Sequence, residues 1–303
     1  MKIIVTGGAG FIGSHIVDAL IARGHRVAVI DDLRTGQKRF VNSRAKFLNI
    51  NIGSPRVVSV IVRVRPDVIF HCAAQINARY SVDDPIEDAE TNIVGFLHVL
   101  EAARRVRVKK FIYSSTGGAL YGGATVRPTP ETYPTHPFAP YGVSKLAGEL
   151  YLQALGIPHV SLRYANVYGP RQNAKSEAGV ISIFSTKMIR GAQPTIFGTG
   201  KQTRDYVYVD DVVRANLLAL TRARGSINIG TGAETDVNAI YKKIAKLTGY
   251  KKSPLHGPAL SGEEQRSVLD ARLAKRVLGW EPKIKLDDGL LKTVKWFAHD
   301  ISR

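Results

Sequence analysis

The stretch from Met1 to Asp32 constrains the fold more than any other part of the chain. A short apolar run, Ile3-Ile4-Val5, leads into a glycine-rich turn in which Gly7, Gly10 and Gly13 are spaced by three residues. A helical pattern follows, then a second apolar run, Val27-Ala28-Val29-Ile30, that ends in Asp31 and Asp32. Strand, tight turn, helix, strand, acid is an order that binds the pyrophosphate and adenine ribose of a dinucleotide.

Each part has a physical reason. Gly7 can take backbone angles closed to other residues at the strand-to-helix turn. A Gly10 without a Cβ lets the main chain approach a pyrophosphate, and Gly13 lets the helix pack closely. That helix opens at Phe11 and Ile12, and its free N–H groups point at the phosphates. Asp31 or Asp32 can accept hydrogen bonds from both ribose hydroxyls. A carboxylate there repels a 2′-phosphate, so the expected cofactor is NAD rather than NADP.

At 303 residues the chain can hold one large domain or two interleaved ones. Its 44% hydrophobic and 22% charged residues are ordinary for a globular protein. No apolar run has the length that crosses a bilayer. The sequence opens directly on a strand pattern, so no signal peptide is expected. Cys72 is the only cysteine, which excludes an internal disulfide and a cysteine-rich zinc site. A cytoplasmic protein without metal is the expectation. The net charge of +18 admits a nucleic-acid partner, but the basic residues are scattered over helical patterns with no accompanying motif. They suit a solvated surface that draws in an anionic substrate.

Strand patterns at 2–5, 26–30, 45–49, 68–72, 110–114 and 159–163 alternate with helical patterns at 12–23, 56–65, 85–106 and 141–155. This argues for an α/β fold, a doubly wound Rossmann-type parallel sheet with helices on both faces. After Gly169 the character changes to irregular loops and a helix near 181–190. A run at 226–229 returns to the sheet, and a final helix covers 286–298. The sequence therefore divides into a dinucleotide domain over 1–165, its sheet completed by about 207–235, and a smaller mixed α/β lobe over 166–206 and 236–303.

The second strong signal is Tyr141-Gly142-Val143-Ser144-Lys145. On a helix starting there, Tyr141 and Lys145 share one face. An ammonium beside a phenol favours the phenolate, which a tyrosine needs to act as a base near neutral pH. Upstream, Phe111-Ile112-Tyr113 runs into Ser114, Ser115 and Thr116. Hydroxyls at strand C-termini of a doubly wound sheet face the ligand crevice, where Thr116 would bind the substrate hydroxyl and Ser114 would lie under the nicotinamide.

Together these motifs resemble the extended short-chain dehydrogenase/reductases and, among them, the UDP-glucose (UDP-galactose) 4-epimerases. The resemblance runs through 6–13, 31–32, 71–75, Asn92, 114–116, 141–145, 163–170, 204–211 and 278–282, nearly the whole chain. It implies an isomerase whose NAD stays bound. The residue at Tyr141 takes the proton of the sugar 4-hydroxyl while hydride passes to the nicotinamide. The 4-keto sugar turns over, and hydride returns to the other face. It further implies that Asn51 and Ile52 lie near the adenine, although the family usually has Asp where Asn51 stands. Ala73, Ala74 and Gln75 would line the pyrophosphate and ribose. Asn92 and Tyr164 complete the cofactor contacts. Asn166 would contact the substrate phosphates, and Arg204 would pair with them. The resemblance also implies a nucleotide-sugar substrate, a UDP-hexose, and a homodimer through the helices over 85–106 and 141–155.

Two departures from the family pattern matter. Leu260 stands where the family often has an arginine, before Gly262 and Glu263, so one contact is missing or supplied by Arg266. Ser267 is small where hexose-restricted epimerases are bulky, leaving room for an N-acetyl group. The rival dehydratases place acids after the strand-end threonine, and here Gly117 and Gly118 follow Thr116. A decarboxylase needs a nearby glutamate, also absent. Two alternatives remain: another NAD-dependent nucleotide-sugar epimerase or dehydratase of the same superfamily, and a basic, non-catalytic nucleic-acid-binding relative, against which the intact Tyr141 and Lys145 count.

Overall fold

The opening apolar runs become the centre of a seven-stranded parallel sheet. The computed structural model describes residues 1–174, 179–260 and 264–302. In chain order the first half comprises β1 (Lys2–Thr6), α1 (Phe11–Ala22), β2 (Arg26–Asp31), β3 (Lys46–Asn49), α2 (Arg56–Val64) and β4 (Val68–His71). It continues with α3 (Ala78–Asp83), α4 (Pro85–Ala89), a π-turn at Glu90–Val94, α5 (Gly95–Val106), β5 (Lys110–Thr116), α6 (Pro140–Ala154) and β6 (His159–Tyr164). These strands run near-continuously apolar because helices cover both sheet faces. Successive side chains separate: Ile3 and Val5 join the core layer of α1, whereas Ile4 joins the layer built with Val57 and Ile61 of α2 and Phe96 of α5.

The second half contributes β7 (Asn166–Tyr168), α7 (Val180–Ile189), β8 (Thr195–Phe197), β9 (Thr203–Tyr208), α8 (Val209–Ala219) and β10 (Gly225–Ile229). Then follow β11 (Glu234–Asp236), α9 (Val237–Thr248), β12 (Leu255–Gly257), β13 (Arg266–Ser267), α10 (Arg272–Leu278) and α11 (Leu286–Ile301). The large sheet has the order β10-β6-β5-β4-β1-β2-β3, with β10 as the expected late return. Strand order reverses at β1, which places the ligand crevice beyond the C-terminal ends of β1 and β4. A smaller sheet of β11, β9 and β13, with β7 also paired to β9, lies outside it. Among the described residues no helix is long and apolar enough to cross a membrane.

Two expectations are corrected. The single helix expected over 85–106 is broken by the π-turn at Glu90–Val94, which holds Asn92. Such turns insert a residue and re-aim a side chain, and here the side chain is buried against the cofactor loop. The mixed α/β lobe is expected without its strands: three of the four strands of the small sheet are two or three residues long and show no periodicity, and the six-residue β9 is not picked out.

A buried ion pair braces the parts. Arg163 of β6 donates from Nη2 to Glu149 of α6 at 2.7 Å and from Nη1 to the Tyr121 hydroxyl at 2.8 Å. Ser115 of β5 and Ser226 of β10 donate to the same carboxylate. Removing one partner of a buried pair leaves an uncompensated charge. Arg163→Met is therefore expected to cost about 3–5 kcal/mol in urea denaturation. The double variant with Glu149→Leu is expected to recover part of that loss.

Candidate active site

The glycine turn is held by steric closeness. Gly7 has φ +68°, and a Cβ on it would meet Ala73 N at 2.6 Å. Its N–H donates to Ile30 O at 2.8 Å, tying the turn to β2. A Cβ on Gly13 would run into the carbonyl oxygen of Gly7, so α1 can seat on the turn only without a side chain there. At the helix start, Gly10 provides no side-chain cap, which leaves the N–H groups of the first turn, at Phe11 and Ile12, for a ligand. This turn, bare of side chains at Gly7, Gly10 and Gly13 and followed by an uncapped helix start, fits a pyrophosphate.

Asp31 ends β2, nearly buried, and its carboxylate accepts from Ala9 N and Leu33 N, both at 2.9 Å. Burial raises its pKa, and these two N–H groups oppose that rise. Asp32 turns away: it accepts from Arg34 N and lies 3.4 Å from the Arg34 guanidinium. Asp31 is thus the acid tied to the glycine turn. Asn51 caps its own turn by accepting from Gly53 N at 2.6 Å, and Ile52 is buried in the core. Ala73 N reaches Thr6 Oγ1 at 3.4 Å. Gln75 and Asn92 exchange hydrogen bonds, Gln75 N to Asn92 Oδ1 and Asn92 Nδ2 to Gln75 O, both 2.9 Å. The segment through Ala74 is thereby fixed at the end of β4.

Tyr141 and Lys145 lie one turn apart on α6, which starts with Pro140 at its first position. Tyr141 N donates to Ser81 Oγ at 3.0 Å. Lys145 Nζ lies 5.9 Å from the Tyr141 ring centroid and donates to Ser114 O at 3.0 Å. Burial lowers Lys145 to about 8. Burial also pushes Tyr141 well above its ordinary value, and the charge of Asp88 adds to this. The expected drop of the phenol beside the lysine is therefore not seen in the protein alone: desolvation outweighs an ammonium turned towards a backbone carbonyl. Ser114 Oγ donates to Cys72 Sγ at 3.2 Å and meets the Tyr164 hydroxyl at 3.3 Å, which Asn216 holds in turn. Thr116, the last residue of β5, is in register with Tyr164 and half-buried.

The small sheet gathers the other candidates. Arg204 of β9 is paired in register with Thr235 and Ser267, and its Nη1 donates to Thr203 O at 2.8 Å. Asp205, next along the strand, points inward, as alternation requires. Its carboxylate accepts from Thr231 N and Oγ1, Gly232 N and Leu269 N. A Cβ on Gly118 would lie 3.7 Å from Asn166 Oδ1 and 3.9 Å from Ser267 Oγ, so these two side chains converge opposite Thr116's own loop. Arg266 is bound to Glu234 at both nitrogens of its fork, at 3.0 and 2.5 Å. That pairing holds Glu234 at about 2, and it leaves Arg266 a poor substitute for an arginine at Leu260. Glu263 lies outside the described residues. Sequence reasoning missed Ser81, Asp88 and Asp205. Of these, only Asp88 carried a signal, four residues before Asn92 on one helical face.

Comparison with known proteins gives the family. The model of the NAD dependent epimerase/dehydratase family matches residues 3–230. A UDP-glucose 4-epimerase of Mycolicibacterium smegmatis is 42% identical over 312 residues, covering 99% of each chain. The UDP-glucose 4-epimerase of Thermotoga maritima, solved with UDP-glucose, superposes with TM-score 0.97 at 48% identity, over 99% of this chain and 100% of that one. The enzyme of Thermus thermophilus, solved with NAD, gives TM-score 0.92 at 41% identity, over 98% and 99%. The Rossmann-type sheet, the glycine cradle and these likenesses together show that the chain belongs to the NAD dependent epimerase/dehydratase family.

Proposed function

We propose that the protein interconverts UDP-glucose and UDP-galactose by inverting C4 of the sugar, with NAD held throughout the cycle. The observation that carries this reading is the Tyr141–Lys145 pair at the mouth of the dinucleotide crevice, with Gly117 and Gly118 rather than a carboxylate directly after Thr116. When bound, NAD supplies the acceptor for the C4 hydride and later its donor. The chain's own residues handle the rest. Tyr141 would take the 4-hydroxyl proton and give it back, and Lys145 would favour the phenolate in between. Thr116 would orient the hydroxyl. Arg204 and Asn166 would hold the diphosphate while the 4-keto sugar turns. Hydride and proton both return, so the reaction needs no external oxidant.

Elimination is disfavoured sterically as well as chemically. A Cβ on Gly117 would collide with the Leu269 side chain, so an acid cannot stand there without displacing it. The small Ser267 beside Asn166 supports acceptance of UDP-N-acetylhexosamines too. The reading includes a cytoplasmic location, which a single cysteine suits. It also includes a homodimer. Ile86, Val94, Val143 and Leu150 are exposed apolar residues along α4 to α6, and a second copy of this chain would cover them.

Purified protein is expected to convert UDP-galactose to UDP-glucose without added NAD, and Tyr141→Phe to lose at least ~100-fold in kcat. No conversion by a protein shown to carry NAD would reject the hexose reading. Ser267→Tyr is expected to abolish turnover of UDP-N-acetylglucosamine while sparing UDP-galactose; equal loss of both would remove the volume argument. Val143→Glu with Leu150→Glu is expected to sediment as a monomer, and an unchanged dimer would move the interface elsewhere.

A further inference from the structure

Asp88 of α4 is fully buried beneath the site, and no step above uses it. Its Oδ1 accepts from Gln75 Nε2 and from Asn92 Nδ2, each at 2.9 Å. Its Oδ2 accepts from Ser144 Oγ at 2.6 Å. All of these donors are neutral. Ser144 stands between Tyr141 and Lys145 on α6, and Gln75 closes the segment that would line the cofactor. One carboxylate thus grips the catalytic helix and the cofactor loop together.

Other groups face Lys145 and also favour its ammonium, but each of them is neutral or shared with another charge. Glu149, on its own helix, is bound to the Arg163 guanidinium at 2.7 Å. Cys72, after β4, is pushed up to about 11 by burial and stays a neutral thiol. Tyr113 of β5 lies with its ring 5.0 Å from Lys145 Nζ, and burial holds it as the phenol. His71 of β4 is driven down by burial and is neutral. Among the described residues facing the lysine, Asp88 is the anion without a cationic partner. In a desolvated site such a charge is poorly screened. It favours the Lys145 ammonium and disfavours the Tyr141 phenolate.

Resting on the epimerase reading, we propose that Asp88 is a positioning residue of the reaction: its unpaired negative charge keeps the buried Lys145 ammonium charged, and its bonds to Ser144 and Gln75 lock the catalytic helix to the cofactor loop. The protein accepts a harder tyrosine ionisation in return for a lysine that is still cationic near neutral pH.

The test is the pH profile of kcat for the NAD-loaded enzyme. Asp88→Asn keeps the shape and removes the charge. Both limbs are expected to move to lower pH, the acid limb with Tyr141 and the alkaline limb with Lys145, by about one unit. Ser144→Ala cuts the tie with the charge retained; kcat is expected to fall with the limbs unmoved. Nitrogen NMR of the lysine ammonium, assigned with Lys145→Met, is expected to give a lower midpoint in Asp88→Asn than in the parent protein. Asp88→Ser serves as a second neutral variant where Asp88→Asn does not fold. Unmoved limbs and an unmoved lysine midpoint in the neutral variants would overturn the proposal, as would an equal shift in Ser144→Ala. If the parent protein does not turn over UDP-galactose, the functional reading fails separately, and the lysine midpoint still decides the role of Asp88.

Discussion

The close seating of α1 on the glycine turn is the contact on which the rest depends. Gly13 lies against the carbonyl oxygen of Gly7, and Gly7 against the backbone of Ala73. These approaches bring β1, α1 and the end of β4 to one point, where strand order reverses. Ala9 N bonded to Asp31 then ties in the end of β2. A larger residue at Gly7 or Gly13 would lift the helix from the turn, and the free N–H groups would lose their aim. The sheet behind is ordinary hydrophobic packing on two faces; the cradle is a matter of fractions of an ångström.

The second constraint is electrostatic. The proposed mechanism asks for a charged lysine and an ionisable tyrosine in a place dry enough for hydride chemistry. Burial opposes both charges. The fold answers by separating its carboxylates. Glu149 is spent on Arg163 and serves architecture, tying α6 to β5, β6 and β10. Asp88 has neutral partners only and keeps its field for the site. Two acids near one helix therefore do different work because of their neighbours. Asp205 and Asp211 serve architecture in another way, each accepting backbone N–H groups that close loops, from residues 231 and 232 and from residues 283 and 284.

Much of this was legible in the sequence because it is local. The first strands and helices fall within a residue or two of their expected places, as do Tyr141 and Lys145 on one face of α6. The π-turn at Asn92 was not legible: the side chain it carries is bonded to Gln75 and Asp88, one of them in another loop. The small sheet was missed for a similar reason. β13 is two residues long and exists only because β9 is beside it. Arg266, a phosphate contact by sequence, is instead paired with Glu234, which is distant in sequence.

The sequence by itself determined the doubly wound sheet, the glycine turn between its first strand and helix, and the placing of Tyr141 and Lys145 on one helical face. Period, glycine spacing and helical phase are properties of neighbouring residues, and the chain carries them wherever it goes. Only the tertiary structure decided which of two aspartates is tied to the turn, how far burial shifts Tyr141 and Lys145, and which carboxylate stays unpaired beside them. Those outcomes depend on desolvation and on charges brought together from distant segments, and neither exists until the chain has folded.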